Sequence, residues 1–222
     1  MNKIALITGG SRGIGKATAD MLRGKDWEVA APSRDQLDLS VYGSTKYFAS
    51  AWNAAPHSLP LNALILCAGE WFSAPLEKIG DADYLKQFRV FLAHQNIMRA
   101  FLPRLAEARG CVVAVASTRA FVGGVETAPY SVAKAALVTL ILGYAHEYSN
   151  GVRFNVVSPG LTDTDLGRQV IATGGAKADA VLQPASAVAQ VIVDLIEDGQ
   201  STGRVVRVVD GAASDARWTW SA

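Results

Sequence analysis

Three residues near the middle of the chain have the types and spacing of a proton-transfer site. Ser117 is followed thirteen residues later by Tyr130, and Lys134 stands four beyond that. Positions i and i+4 share one face of a helix, so a helix here places the phenol and the ammonium side by side. A free tyrosine has a pKa of about 10, too high for efficient exchange near neutrality. A neighbouring ammonium favours the phenolate and lowers that barrier. A serine at the end of a preceding strand can hold the oxygen on which charge develops. By themselves, Tyr130 and Lys134 would serve equally well as a helix-surface pair packing its stems on a neighbour.

A second motif tips that balance. Thr8-Gly9-Gly10-Ser11-Arg12-Gly13-Ile14-Gly15 follows a short apolar run and precedes a helical pattern. Gly9, Gly13 and Gly15 let the backbone turn tightly and approach a pyrophosphate at the N-terminus of the next helix. A bare turn also needs glycines, but one placed between strand and helix at the start of a βαβ unit reads as a phosphate cradle. A proton-transfer set beside such a cradle points to hydride chemistry with a nicotinamide dinucleotide.

The end of the second strand selects between NADP(H) and NAD(H). An acid there bonds the ribose 2′-hydroxyl, whereas an arginine accommodates a 2′-phosphate. The chain reads Ala31-Pro32-Ser33-Arg34-Asp35, with Ser33 where the acid is expected and Arg34 able to reach past it. Arg12 supplies a second cation. Asp35 becomes the ribose acid if the strand runs further, but Pro32 cannot donate to a ladder and argues for an early end. NADP(H) is therefore favoured over NAD(H).

The elements that must position these groups alternate regularly. Apolar runs at 4–7, 27–33, 61–67, 111–116, 152–157 and 205–209 read as buried strands. Helical patterns fill 13–23 (with Gly24 placed to cap its end), 40–53, 83–105, 129–149 and 184–197. This alternation predicts an α/β fold, a doubly wound parallel sheet with helices on both faces. Ligands in such sheets bind beyond the carboxyl ends of the strands. The glycine loop, Ala68-Gly69, Ser117 and Ser158-Pro159-Gly160 all follow strands and should converge on one crevice.

The 222 residues are compatible with a single domain over 1–222, half of them apolar and with net charge +1. Nothing in that charge recommends nucleic acid or an anionic membrane as a partner. Cys67 and Cys111 lie in strand-like runs without metal-ligand spacing, so no metal site is expected and a reducing, cytoplasmic setting is. The uncharged stretch 135–145 is too short to span a bilayer, and the N-terminal residues carry no leader pattern.

In order and spacing, Thr8-Gly9…Gly13-Ile14-Gly15, Ala68-Gly69, Ser117, Tyr130…Lys134 and Asn155-Val156-Val157-Ser158-Pro159-Gly160 resemble the short-chain dehydrogenase/reductase family over nearly the whole chain. The resemblance implies a Rossmann-type domain acting on a small carbonyl or alcohol. It makes Tyr130 the general acid or base, Lys134 the clamp on the nicotinamide ribose, and Ser117 the hydrogen-bond partner of the substrate oxygen. Asp38 matches the position that contacts adenine. Thr164, in Pro159-Gly160-Leu161-Thr162-Asp163-Thr164, matches the threonine that holds the carboxamide, with Pro159, Gly160 and Thr162 beside it. Such proteins commonly form homodimers or homotetramers through the long helix and the one bearing Tyr130.

The chain also departs from that family. Its catalytic asparagine, which helps hold a water linking the lysine to solvent, is replaced by Phe91, and His94 stands where a glycine is usual. His94 and Asn96 read as packing or capping residues, off the face of Phe91. Leu66-Cys67 replaces a pair of asparagines, and Cys67 lies close enough to the expected cofactor to invite oxidation. A substrate lid is expected at about 163–183, with Trp71, Phe72, Phe121 and Leu161 as pocket walls. The tail, about 212–222, carries two tryptophans suited to docking on a neighbouring subunit. The loss of the asparagine keeps a second reading open, a cofactor-binding sensor or scaffold without chemistry. Epimerase or dehydratase chemistry also stays open.

Overall fold

The computed structural model describes residues 3–41, 43–54, 60–148 and 151–216. The expected docking of the aromatic tail, at 217–222, lies outside them.

Short apolar segments form the strands because both faces of each are covered. β1 (Ile4–Thr8), β3 (Ala63–Leu66) and β4 (Cys111–Val115) are buried at every residue. β2 (Glu28–Ala30), β5 (Arg153–Pro159) and β6 (Val205–Val209) join them in parallel. β7 (Ala212–Asp215) closes the edge antiparallel to β6, giving the order β2-β1-β3-β4-β5-β6-β7. The chain is thus one α/β sheet with helices on both faces.

Alternation along the strands divides the core into two layers. Ala5 and Ile7 point toward α1 (Gly13–Arg23) and α7 (Ala185–Glu197), with Leu22, Ile192 and Val193. Ile4 and Leu6 point the other way. There α2 (Ser44–Ala54), α3 (Asp81–Ala108) and α5 (Ala128–Glu147) supply Ala49, Ile97, Phe101, Leu137 and Ile141. Each large side chain removed from water contributes roughly 1.5–3 kcal/mol.

Several boundaries differ from the sequence reading for identifiable reasons. β2 stops at Ala30, two residues before Pro32, so Ser33 and Arg34 lie beyond the strand. Gly24 closes α1 in a right-handed conformation (φ −65), and the left-handed step falls on Asp26 (φ 60). The α5 helix spans 20 residues, longer than its uncharged stretch alone, and is long and apolar enough by composition to cross a membrane. Here it lies on the sheet with Leu137, Val138 and Ile141 buried.

Candidate active site

β1 ends at Thr8, and the chain turns through Gly9 (φ +69), where a Cβ would come within 2.8 Å of the Ala68 backbone. A Cβ at Gly15 would collide with the Gly9 carbonyl, so the loop closes this tightly only with glycine there. The residue before α1, Arg12, is extended and offers no side-chain cap, which leaves the helix's first N–H groups facing the crevice. That cradle suits a pyrophosphate.

A crevice of about 650 Å³ opens at the carboxyl ends of the strands. Gly9, Ser11, Arg12, Gly13 and Ile14 form its floor, and Ala68 and Gly69 line it after β3. Ser117, Tyr130 and Lys134 meet there with Pro159, Gly160, Thr162 and Thr164. Arg34 and Asp38 stand at one end. Two of the expected cofactor residues are not on the wall. Gly15 acts through its missing side chain, and Ser33 turns aside, its backbone N–H donating to the Gln36 side chain at 2.9 Å.

Charge at the Arg34 end is already paired. Arg34 Nε lies 3.2 Å from Asp38 Oδ2. The Ser40 hydroxyl and backbone N–H, with Arg34 assisting, hold the Asp38 carboxyl below its ordinary range. Arg12 sits 3.5 Å from Asp165, and both are well exposed. These exposed pairs are weak and leave either guanidinium free to turn toward a phosphate.

Tyr130 is buried, and burial pushes its phenol above its ordinary pKa, against a hydrogen bond with Ser117 and the charge of Arg119. Lys134 Nζ donates to the Val115 carbonyl at 2.9 Å and lies 5.9 Å from the centre of the Tyr130 ring. Burial lowers its pKa to about 8. The lysine was expected to push the phenol down, but the groups that do so here are Ser117 and Arg119; desolvation outweighs them, and Tyr130 stays protonated. A protonated phenol is ready to act as an acid.

One end of the crevice is apolar. Trp71 packs edge-on against Tyr130, with ring centres 5.0 Å apart, and Val170 completes a buried cluster with them. Leu161 and Leu166 line the same end. Phe72 packs on that cluster, whereas Phe121 turns instead to the core beneath α5. The segment expected as a lid contains a helix, α6 (Asp165–Ala172), capped by the Thr164 hydroxyl, which accepts from Gly167 N–H at 3.0 Å. Three contacts tie it down. Arg119 donates to the Gly175 carbonyl at 2.6 Å, Trp71 Nε1 to Thr173 Oγ1 at 2.8 Å, and Thr162 bridges to Gln183. Arg119, which the sequence reading passed over, belongs to a short helix, α4 (Arg119–Val122), directly after Ser117.

Cys67 is a half-buried free thiol whose pKa burial pushes up to about 11, despite Lys134 nearby and an N–H bond from Gly15. It is therefore a poor nucleophile near neutrality, and the expected oxidation sensitivity has no thiolate to act through.

The family model described as short chain dehydrogenase matches residues 36–174. The chain belongs to the short-chain dehydrogenase family. Among relatives, it is 28% identical over 232 residues to 3-oxoacyl-[acyl-carrier-protein] reductase of Rattus norvegicus, covering 95% of this chain and 98% of that one. It is 31% identical over 189 residues to cis-2,3-dihydrobiphenyl-2,3-diol dehydrogenase of Pseudomonas sp. (strain KKS102), covering 74% and 68%. The fold superposes on ElxO with NADP bound at a TM-score of 0.84 and 24% identity, covering 95% of this chain and 98% of that one. Members of this family are oxidoreductases, and the seven-stranded sheet is the family's Rossmann-type domain.

Proposed function

We propose that the protein is an NADP(H)-dependent carbonyl reductase or alcohol dehydrogenase acting on a small or medium apolar substrate. The observation that carries this reading is the meeting of Ser117, Tyr130 and Lys134 at the apolar end of a crevice that begins at a glycine cradle. The nicotinamide, when bound, supplies or accepts the hydride. Ser117 and Tyr130 together hold the substrate oxygen, and Tyr130 gives it a proton as charge develops. Lys134 lies where it can bind ribose hydroxyls while anchored on Val115. Trp71, Leu161 and Val170 exclude water and favour an apolar substrate.

Arg34 and Arg12 at the far end support the phosphorylated cofactor, and the NADP-bound structural relative is consistent with that choice. Two free thiols, Cys67 and Cys111, support a reducing, cytoplasmic setting. The apolar helix α5 supports a homodimer or homotetramer, and net charge +1 gives no reason to invoke nucleic acid or a membrane.

The test is a screen of ketones, aldehydes and secondary alcohols with both nicotinamide cofactors, read by nicotinamide absorbance beside a direct binding measurement. Turnover of at least one carbonyl or alcohol with NADPH or NADP is expected. Tight NADPH binding with no turnover would support the second reading, a sensor or scaffold, which the replacement of the family's asparagine by Phe91 favours.

A further inference from the structure

Beside the crevice lies a second, much smaller cavity of about 20 Å³, lined by Gln87, Phe91 and His94 of α3, by Lys134 of α5, and by Glu70. One water requires roughly 10–15 Å³ and two to four polar partners. Among the described residues three buried side-chain polar atoms lack a partner, and two of them, Gln87 Nε2 and His94 Nδ1, belong to this cavity's walls. Gln87 is 5% exposed and His94 1%. Buried donors without partners are costly, so two at one cavity of this size call for a guest.

The surrounding bonds fix what these atoms offer. Thr8 Oγ1 accepts from Cys67 N–H at 3.1 Å and Ala68 N–H at 3.3 Å, which occupies both of its lone pairs. Its one proton is shared between the Ile65 carbonyl and His94 Nε2, each 3.4 Å away; with no lone pair left on Thr8 to accept an Nε2–H, the imidazole proton sits on Nδ1. Burial, with Lys134 adding to it, pushes the His94 pKa down to about 3, so the ring stays neutral. Nδ1–H and the Gln87 amide are both donors. A water receiving two hydrogen bonds must point its own protons elsewhere; Lys134, with a pKa of about 8, becomes an acceptor once it has given up a proton, and Glu70 stands on the same wall.

We propose that Gln87 and His94 hold a single water that returns protons to the Lys134–Tyr130 pair, doing from either side of Phe91 what that residue cannot. Both are positioning residues, acting through the water. Each carbonyl reduced removes one proton from Tyr130. Within the pair a Lys134 N–H bond breaks as the Tyr130 O–H bond reforms, and the amine regains its proton as a water O–H bond breaks and an N–H bond forms on Lys134. The water is restored by a proton from bulk solvent through Glu70, which is half-exposed and paired with Lys86 at 3.4 Å.

This inference rests on the proposed carbonyl chemistry only for its purpose, and two readouts test the water without turnover. A high-resolution crystal structure of the free protein should show one water within hydrogen-bond distance of Gln87 Nε2 and His94 Nδ1; a dry cavity overturns the proposal whatever the substrate. NMR titration of Lys134 in Gln87→Leu should give a pKa at least about half a unit above wild type, because the neutral amine loses the water that donates to it; an unmoved titration also counts against it. In the active enzyme, Gln87→Leu should lower kcat at least about tenfold with KM unchanged and shift the pH profile, whereas Gln87→Asn restores part of the rate. Equal kcat in all three would sink the relay. Should the Leu variant fail to fold, the wild-type density still decides. Absence of any turnover, with the water present, would fail the proposed function and leave the water site standing.

Discussion

At the scale of single residues, Tyr130 and Lys134 are held in states that burial dictates. Tyr130→Phe removes one hydroxyl from a packed ring, so NADPH binding should persist while kcat falls by a factor of at least about 10³; turnover within a few-fold of wild type refutes Tyr130 as the acid. Arg34→Ala should raise KM for NADPH about tenfold and leave KM for NADH nearly unchanged, since a single exposed guanidinium is removed from one phosphate. Equal effects on both cofactors would remove Arg34 from cofactor selection. His94 carries a stability signature. Its folded pKa, about 3, lies below the unfolded value of 6.5, so the unfolded chain binds the proton more tightly and stability is lost as pH falls below 6.5. The slope is roughly 1.4 kcal/mol per pH unit. Between pH 6.5 and 4 the lowered carboxyls of Asp20, Asp38 and Asp198 add little, because their unfolded value is 3.8. Urea denaturation of His94→Gln across that window should show a much flatter dependence than wild type, and parallel curves would contradict a neutral buried imidazole.

At the scale of elements, β1, β3 and β4 were legible because each is a short apolar run buried at every residue. β7 escaped notice because all four of its residues are exposed and carry no alternation. α6 was hidden by Gly167 and the glycines that follow it, which read as loop, although its Thr164 cap was in view. That Ser117, Tyr130 and Lys134 share one crevice was legible from their spacing together with the glycine loop. Gln87 was not, and placing His94 off the face of Phe91 was mistaken, since positions i and i+3 share a face. Seven residues apart, Gln87 and His94 lie on one helical face with Phe91 between them. Arg119 was missed because its role is a long-range strap to Gly175 rather than a motif. Arg119→Ala removes bonds to the Gly123 and Gly175 carbonyls. It should cost roughly 1–2 kcal/mol and speed proteolytic cleavage near 173–177 several-fold. An unchanged cleavage rate would show that Trp71 and Gln183 hold the segment without it.

At the scale of the whole molecule, the outer sides of α5 and α3 keep exposed apolar side chains after the fold is complete. α5 buries Leu137, Val138 and Ile141 against the sheet, yet its outer side presents Val132 at 44% exposure. On α3, its packing neighbour, Leu85 is 61% and Leu92 52% exposed. A solvent-facing helix ordinarily carries charge on its outer side, and one uncharged from 135 to 145 expects a cover. The homo-oligomer proposed from the family resemblance would provide it, pairing these two helices with their copies about a two-fold axis. Val132→Glu with Leu92→Glu places like charges face to face across such an interface, where they oppose association without disturbing either core layer. Sedimentation should show wild type as a dimer or larger and the double variant as a folded monomer with unchanged far-ultraviolet circular dichroism. A monomeric wild type, or a double variant that associates as before, would mean that this surface is not where copies meet.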